Sequence, residues 1–122
     1  MARVSLTTQK ITRAGLDPAA ALAGPPTVDG DVIDAGAVFL YVDNGGGVSI
    51  NVTFRTPLTV DDLDLEELIV AVPAGEARLI GPFPKRTFAQ LAGAVESGGN
   101  DAGRVYVDYS AQTSVTRAAV SL

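Results

Sequence analysis

The strongest constraint on the fold is the rhythm with which short apolar runs alternate with turn-forming residues. Thirteen glycines and seven prolines are spread along 122 residues, and they separate apolar runs at a spacing of roughly ten residues. This rhythm is typical of sandwiches and barrels, and no long helical pattern competes with it. The sequence therefore predicts an all-β fold, an antiparallel β-sandwich or jelly roll of about seven or eight short strands.

The clearest local pattern precedes and follows Asn44. Residues 38–42 form an apolar run, and residues 48–54 alternate apolar with polar side chains, as expected of a strand with one buried face. Asn44 and the glycines after it readily adopt the positive φ angles that tight turns need. The pattern predicts a β-hairpin with its turn over residues 43–47.

Other parts of the chain predict further strands and links. Residues 68–72 and 77–80 are apolar runs on either side of a Pro-Ala-Gly turn, and we expect them to pair antiparallel. Residues 61–67 read as an acidic link with room for a turn of helix. The spacing of apolar residues over 88–95 fits either a helical turn or an irregular strand.

The N-terminal part of the chain is patterned weakly. Residues 9–26 are rich in Ala, Gly and Pro, so we expect residues 1–26 to form an extended arm or long loop and residues 27–122 to form the sandwich domain. The arm holds three bases and one acid, whereas residues 27–67 hold nine acids and Arg55 alone as base. A basic arm and an acidic middle favour head-to-tail contact between copies or docking on a charged lattice. An ordinary solvated surface is the alternative.

Composition argues against most catalytic chemistry. The chain has no cysteine and no histidine, which excludes a Ser-His-Asp triad, a Cys-His pair and a His-based zinc site within one chain. The net charge of −5 argues against a nucleic-acid partner, which needs a basic face. No signal peptide or membrane span is visible, so we expect synthesis in the cytoplasm and no membrane partner. We expect no enzyme activity, no cofactor and no metal.

Three polar clusters invite a functional interpretation. The five acids between residues 61 and 67 are the best cation candidate, but the EF-hand pattern is missing and a solvated linker is favoured. Asp29, Asp31 and Asp34 suit Asx turns better than acid–base chemistry. The loop 44–47 matches no phosphate-binding motif and is better explained as a turn.

Basic and aromatic side chains are the remaining candidates for partner binding. The bases of the arm, Arg3, Lys10 and Arg13, are candidates for contact with an acidic partner surface. Lys85 and Arg86 after Pro84 either contact such a surface or lie at an exposed loop tip. The tyrosines are either interface anchors or cover for the outer face of a sheet; these are Tyr41, Tyr106 and Tyr109.

Several short segments together resemble a known family. They comprise Leu6-Thr7, Thr12-Arg13-Ala14-Gly15, Phe39-Leu40, Thr56-Pro57 with Val60-Asp61, and Ile80-Gly81-Pro82-Phe83-Pro84. In this order, the segments resemble the small β-rich virion structural proteins, capsid decoration or minor head proteins, of tailed phages and prophages of actinobacteria. The resemblance covers most of the chain, and its motifs are turns and strands.

The resemblance implies a capsid decoration protein that binds the outside of the phage head and stabilises it. Its partner would be the lattice of the major capsid protein, its oligomer a trimer, and its location the capsid surface of the virion. The family has no catalytic residues to transfer. A head–tail connector or tail subunit is one alternative. A carbohydrate- or surface-binding β-sandwich is another, and it should show clustered exposed aromatic side chains.

Overall fold

The computed structural model of the chain describes residues 3–17, 24–57, 59–64 and 66–122. The described part is all-β, with sheets of five, four and two strands and one short helix. The strands are β1 (Val4–Ser5), β2 (Gln9–Lys10), β3 (Asp31–Asp34), β4 (Val38–Asn44), β5 (Ile50–Phe54), β6 (Thr59–Val60), β7 (Leu63–Asp64), β8 (Leu68–Val72), β9 (Ala77–Ile80), β10 (Arg104–Tyr109) and β11 (Val115–Ser121), and the helix is α1 (Lys85–Phe88).

The two larger sheets enclose the core in a sandwich-like arrangement. The five-stranded sheet has the order β1-β3-β10-β5-β8, and the four-stranded sheet has the order β2-β11-β4-β9. Most neighbouring strands are antiparallel, but β1 pairs with β3, and β2 with β11, in parallel. The all-β prediction is therefore confirmed, whereas an antiparallel sandwich or jelly roll is not, because both sheets are mixed.

The parallel pairs arise from one extended N-terminal segment that contacts both sheets. β1 lies beside β3 in one sheet, and the chain continues without a turn to β2, which lies beside β11 in the other. The segment does not reverse between β1 and β2, and β3 and β11 run in the same direction, so each short strand is parallel to its partner. Leu6, between the two strands, is buried in the core. This part of the expected arm is built into the sandwich, while residues 1–2 and 18–23 lie outside the described residues; the division at residue 26 stays a prediction.

The strands predicted on either side of Asn44 are present, but the predicted hairpin is wrong. β4 belongs to the four-stranded sheet and β5 to the five-stranded sheet, so the connection between them is an arch that crosses the sandwich. The same correction applies to β8 and β9, which also lie in different sheets. Alternation of apolar side chains shows only that one face of a strand is buried. That face is buried equally well whether the next strand lies in the same sheet or in the opposite one.

Asn44 explains why the first arch has its sequence. The side chain is 1% exposed, and its amide donates to the backbone carbonyls of Val48 and Val72 at 2.9 and 3.0 Å. Its amide oxygen accepts from the N–H of Gly46 at 3.1 Å. Because Val72 ends β8 in the opposite sheet, this one side chain ties the two sheets together where β4 ends.

The acidic link also differs from the prediction, since its described residues contain a hairpin and no helical turn. β6 and β7 pair antiparallel around Asp61 and Asp62, whose φ angles are 51° and 63°. Two successive residues in the left-handed region form the two-residue turn that suits the twist of a hairpin. Asp occupies this region more readily than most residues because its short polar side chain can hydrogen-bond locally.

Phe83 closes one end of the core. It is fully buried, its ring stacks on Phe54 with centroids 4.6 Å apart, and it meets Phe88 edge-on at 5.5 Å. Its backbone bridges to Gly36, just before β4. Neither alternative for residues 88–95 is present, because α1 precedes the segment and ends at Phe88, and residues 89–95 form turns and irregular backbone.

The outer face of the five-stranded sheet is covered by the chain itself. Tyr106 and its neighbour Val32 alternate with core residues and so point away from the core, yet they are 4% and 0% exposed. The hydroxyl of Tyr106 donates to Asp101 at 2.8 Å and accepts from the N–H of Glu96 at 3.2 Å. The segment 89–103 is thereby fastened over this face.

Candidate interaction surface

Arg3 occupies a different environment from the other four predicted partner-binding cations. It is 7% exposed, and its guanidinium contacts Glu96 and Asp108, each at 2.8 Å. The same group lies 4.4 Å from the centre of the Tyr106 ring, within the range of cation–π attraction. Burial alone would lower the pKa of Arg3, but hydrogen bonds to the two carboxylates raise it. The charge of Arg3 is balanced by carboxylates of the same chain, so we keep the partner-binding hypothesis for the other four cations.

Gly30 makes the position of Arg3 possible. A Cβ atom on this residue would lie 2.2 Å from the carbonyl oxygen of Val107 and 2.8 Å from the Arg3 guanidinium, and its φ is +84°. Side chains other than hydrogen are excluded by both the contact and the backbone conformation. The Asp29-Gly30 turn signal thus has a packing role as well as a conformational one.

The other four predicted cations are exposed at one end of the sandwich. They are Lys10, Arg13, Lys85 and Arg86, and within the described ranges none makes an ion pair. Lys10 is in register with Ser121, which in turn pairs with Val38 at the start of β4. The helix α1 follows Phe83, which bridges to Gly36 beside the same strand end. We call this group of four cations the basic end.

The outer face of the five-stranded sheet carries many charges, and they are paired. Arg55 contacts Asp108 at 2.5 Å and Glu67 at 3.3 Å. Arg104 contacts Asp34 at 3.1 Å. The Asp108 carboxylate is the main reason that the pKa of Arg55 is raised. This face therefore presents balanced ion pairs, and the segment 89–103 covers part of it.

A polar cleft of about 340 Å³ lies on this face between the ion pairs. Its lining includes Arg3, Arg55, Glu67, Glu96 and Tyr106. Both arginines already contact carboxylates, and the Tyr106 hydroxyl has partners on both sides. The arrangement stabilises the packing of the loop on the sheet.

The outer face of the four-stranded sheet is apolar, and it is exposed in part. In register, β4, β9 and β11 place six apolar side chains on it, namely Phe39, Tyr41, Ala77, Leu79, Ala118 and Val120. Leu79 is 60% exposed, and Phe39 and Tyr41 are partly exposed, whereas Ala118 and Val120 of β11 are buried. Asp43 is the one charged side chain that these three strands place there. We call these six side chains the apolar face.

The apolar face adjoins the basic end. Phe39 and Val120 pair with each other one residue inside the strand ends at which the basic end begins. Ile11 and Leu122, which are 41% and 74% exposed, extend the apolar surface past those strand ends. Sequence patterning did not reveal this face, because apolar residues on both sides of β4 indicate only a strand buried on both sides.

A buried polar network lies between the sheets. The Asp31 carboxylate accepts two bonds from Arg117, both at 2.7 Å, and a third from the Tyr109 hydroxyl at 2.6 Å. Arg117 also donates to the carbonyl of Gly24. Burial and the neighbouring carboxylate raise the pKa of Tyr109 well above its usual value, so its hydroxyl remains a donor. The network links β3, β10 and β11 across the core.

The acidic side chains that the structure describes are not gathered into one site. Asp31 points into the core, whereas Asp34 accepts from Arg104 and from the hydroxyl of Thr8 on the outside. Among the described residues, no group of three acidic, His or Cys side chains is arranged to hold a metal ion. The carboxylates of Asp31 and Asp34 thus bind distant side chains rather than forming the Asx turns expected from sequence.

Comparison with protein-family models, curated proteins and solved structures found no match. In the part of the chain that the structure describes, no helix has the length and apolar character needed to cross a membrane.

Proposed function

We propose that the chain is a non-catalytic structural protein of a virion, and that it decorates the capsid by docking on the major capsid protein lattice. The resemblance in the turn and strand motifs supports this role. The observation that carries the proposal is the contrast between the two outer faces of the sandwich. One face carries internally paired charges and is partly covered by segment 89–103, whereas the other is apolar, with Leu79 exposed and Phe39 and Tyr41 partly exposed.

The apolar face supplies only part of a docking surface. Three strands about 4.8 Å apart, over five residues that rise about 3.4 Å each, give an area of roughly 250 Å² in plane, and the β11 side chains within it are buried. Monomers commonly expose apolar patches of this size. A stable interface buries about 800 Å² per partner, so the shell would also contact the adjoining basic end. Repetition over a lattice strengthens such contacts when several copies are linked.

The direct test is binding to undecorated capsids, imaged by electron microscopy. Wild-type protein should add density at regularly repeated positions over the shell. Leu79→Glu places a charge at the most exposed side chain of the apolar face and should abolish that density. Leu91→Glu is the matched control, because Leu91 is 54% exposed in the segment on the opposite side of the molecule. Equal binding of both variants would remove the apolar face from the proposal.

The basic end is tested separately by charge reversal and salt. The double variant Lys85→Glu with Arg86→Glu should weaken capsid binding. Added salt should lower the affinity of the wild-type protein, because it screens the exposed cations of the basic end. Binding that is confined to a portal vertex or a tail would contradict decoration. It would favour the second candidate, a connector or tail subunit, for which the separate β6–β7 hairpin offers an element to insert into a neighbour.

A further inference from the structure

The two sheets expose four edge strands, and three of them are blunted. β1 and β2 contain two residues each, and β9 contains Arg78 at its centre. Short edges and edge charges are the devices by which proteins prevent strand pairing between molecules. The fourth edge, β8, has five residues, Leu-Ile-Val-Ala-Val, without a charge, a proline or a glycine.

The free edge of β8 is also open to solvent. Ile69 is 59% exposed, Leu68 is 39% exposed, and Ala71 is exposed. In the described part of the chain, β5 is the sole strand that pairs with it. An uncharged edge of high β-propensity is a template for a further strand. We propose that β8 pairs antiparallel with β8 of a second copy, so that the five-stranded sheets of two molecules join into one.

Antiparallel pairing centred on Val70 is self-complementary. It places Leu68 opposite Val72, and Ile69 opposite Ala71, in both directions. The acids that precede the strand, Glu66 and Glu67, then lie opposite Ala74 and Pro73 of the other copy. No like charges face each other.

A parallel in-register pairing would instead stack the same two acids on their counterparts, which is unfavourable. This difference in charge selects a second copy in the antiparallel orientation.

The symmetry of the resulting assembly is twofold and closed. In such an isologous contact, the same patch serves both molecules and growth stops at the dimer. The trimer expected from the resemblance is replaced by a dimer in this proposal. The contact forms in solution without a shell, so it does not depend on the proposed decoration function.

The experiment measures mass against concentration by light scattering and sedimentation. The wild-type chain of 12.5 kDa should approach twice its monomer mass as concentration rises. The variant Ile69→Lys with Ala71→Lys sets a lysine opposite a lysine at two cross-strand positions and should dissociate the dimer. The matched variant Ile69→Lys with Ala71→Glu sets a lysine opposite a glutamate at the same positions and should retain it.

The two double variants change the same exposed positions, next to Thr53 and Asn51 of β5, so each should keep the monomer fold, as circular dichroism will verify. Their dimer dissociation constants should differ by about tenfold or more, from two cross-strand charge pairs. A wild-type chain that stays monomeric, or two variants with equal dissociation constants, would overturn the proposal. Dissociation by Leu79→Glu would do so too, because it would move the dimer contact to the apolar face.

Discussion

Replacing Arg117 with methionine should destabilise the protein more than most single substitutions. Arg117 and Asp31 are 4% and 0% exposed, and the substitution removes both N–H donors from the buried carboxylate. The Tyr109 hydroxyl, at 2.6 Å, is then its remaining side-chain donor. Breaking a buried ion pair by removing one partner costs about 3–5 kcal/mol. That is a large part of the roughly 5–15 kcal/mol that stabilises a domain.

The cost should come from the unpaired carboxylate, and a triple variant separates this cause from lost packing. Asp31→Leu, Tyr109→Phe and Arg117→Met together remove every charged or hydroxyl group of the network. Because well-packed apolar residues can replace a buried ion pair at little cost, the triple variant should recover most of the lost stability. Arg78→Met is the control, since Arg78 and Glu76 form an exposed pair at 2.8 Å and such pairs contribute less than about 1 kcal/mol.

Urea unfolding followed by far-ultraviolet circular dichroism measures these differences. With a slope of about 2 kcal/mol per molar urea, Arg117→Met should lower the midpoint by roughly 1.5–2.5 M. The reasoning is refuted if Arg117→Met shifts the midpoint no further than Arg78→Met. It is also refuted if the triple variant is no more stable than the single one.

Three further substitutions test the arch, the core and an acid-sensitive loop. Asn44→Ala leaves the carbonyls of Val48 and Val72 without their side-chain donor and should lower the free energy of unfolding by about 2–3 kcal/mol, measured in urea; an unchanged midpoint would contradict the role of Asn44. Phe83→Ala should cost about 3–5 kcal/mol and more than Phe88→Ala, which thermal unfolding will rank, because Phe83 is fully buried and Phe88 only partly. Burial alone would raise the pKa of Asp101, but hydrogen bonds from Ser97 and Tyr106 lower it. Its contribution to stability is therefore present above the unfolded value of about 3.9 and is lost as pH falls through the lowered folded value. Asp101→Asn should thus destabilise the protein at about pH 6 and less at about pH 2, and equal losses of stability at both pH values would contradict this.

The sequence predicted where strands lie better than how they pair. Residues 38–42 and 48–54 were identifiable because their alternation reflects burial of one face. Along the chain, β3, β4, β5 and then β8, β9, β10, β11 switch sheets at nearly every step. Since each arch buries the same side chains as a hairpin would, the pattern cannot distinguish them. The parallel pairing of β1 with β3, and of β2 with β11, was not predictable either, because two-residue strands are too short to show a periodicity.

The candidate surface was predictable in part. The exposed cations of the basic end were identified from sequence, since charged side chains are rarely buried. Arg3 was the exception, and its burial depends on Glu96 and Asp108, which are more than ninety residues away. The apolar face required the register of three strands that are remote in sequence. Composition alone does not tell which of two apolar faces of a strand is covered.

The distribution of charge along the chain differs from the distribution of charge over the folded surface. The segment 27–67 has nine acids, but three of them form ion pairs with arginines. Asp31 pairs with Arg117, Asp34 with Arg104, and Glu67 with Arg55. The base that begins the expected arm, Arg3, is paired as well. The difference in net charge between the basic N-terminal segment and the acidic segment 27–67 is therefore smaller on the surface of the folded protein than in the sequence. Besides the basic end, the exposed surfaces include the apolar face and the β8 edge, which are nearly uncharged, and contacts made by these two should persist at salt concentrations that break a purely electrostatic contact.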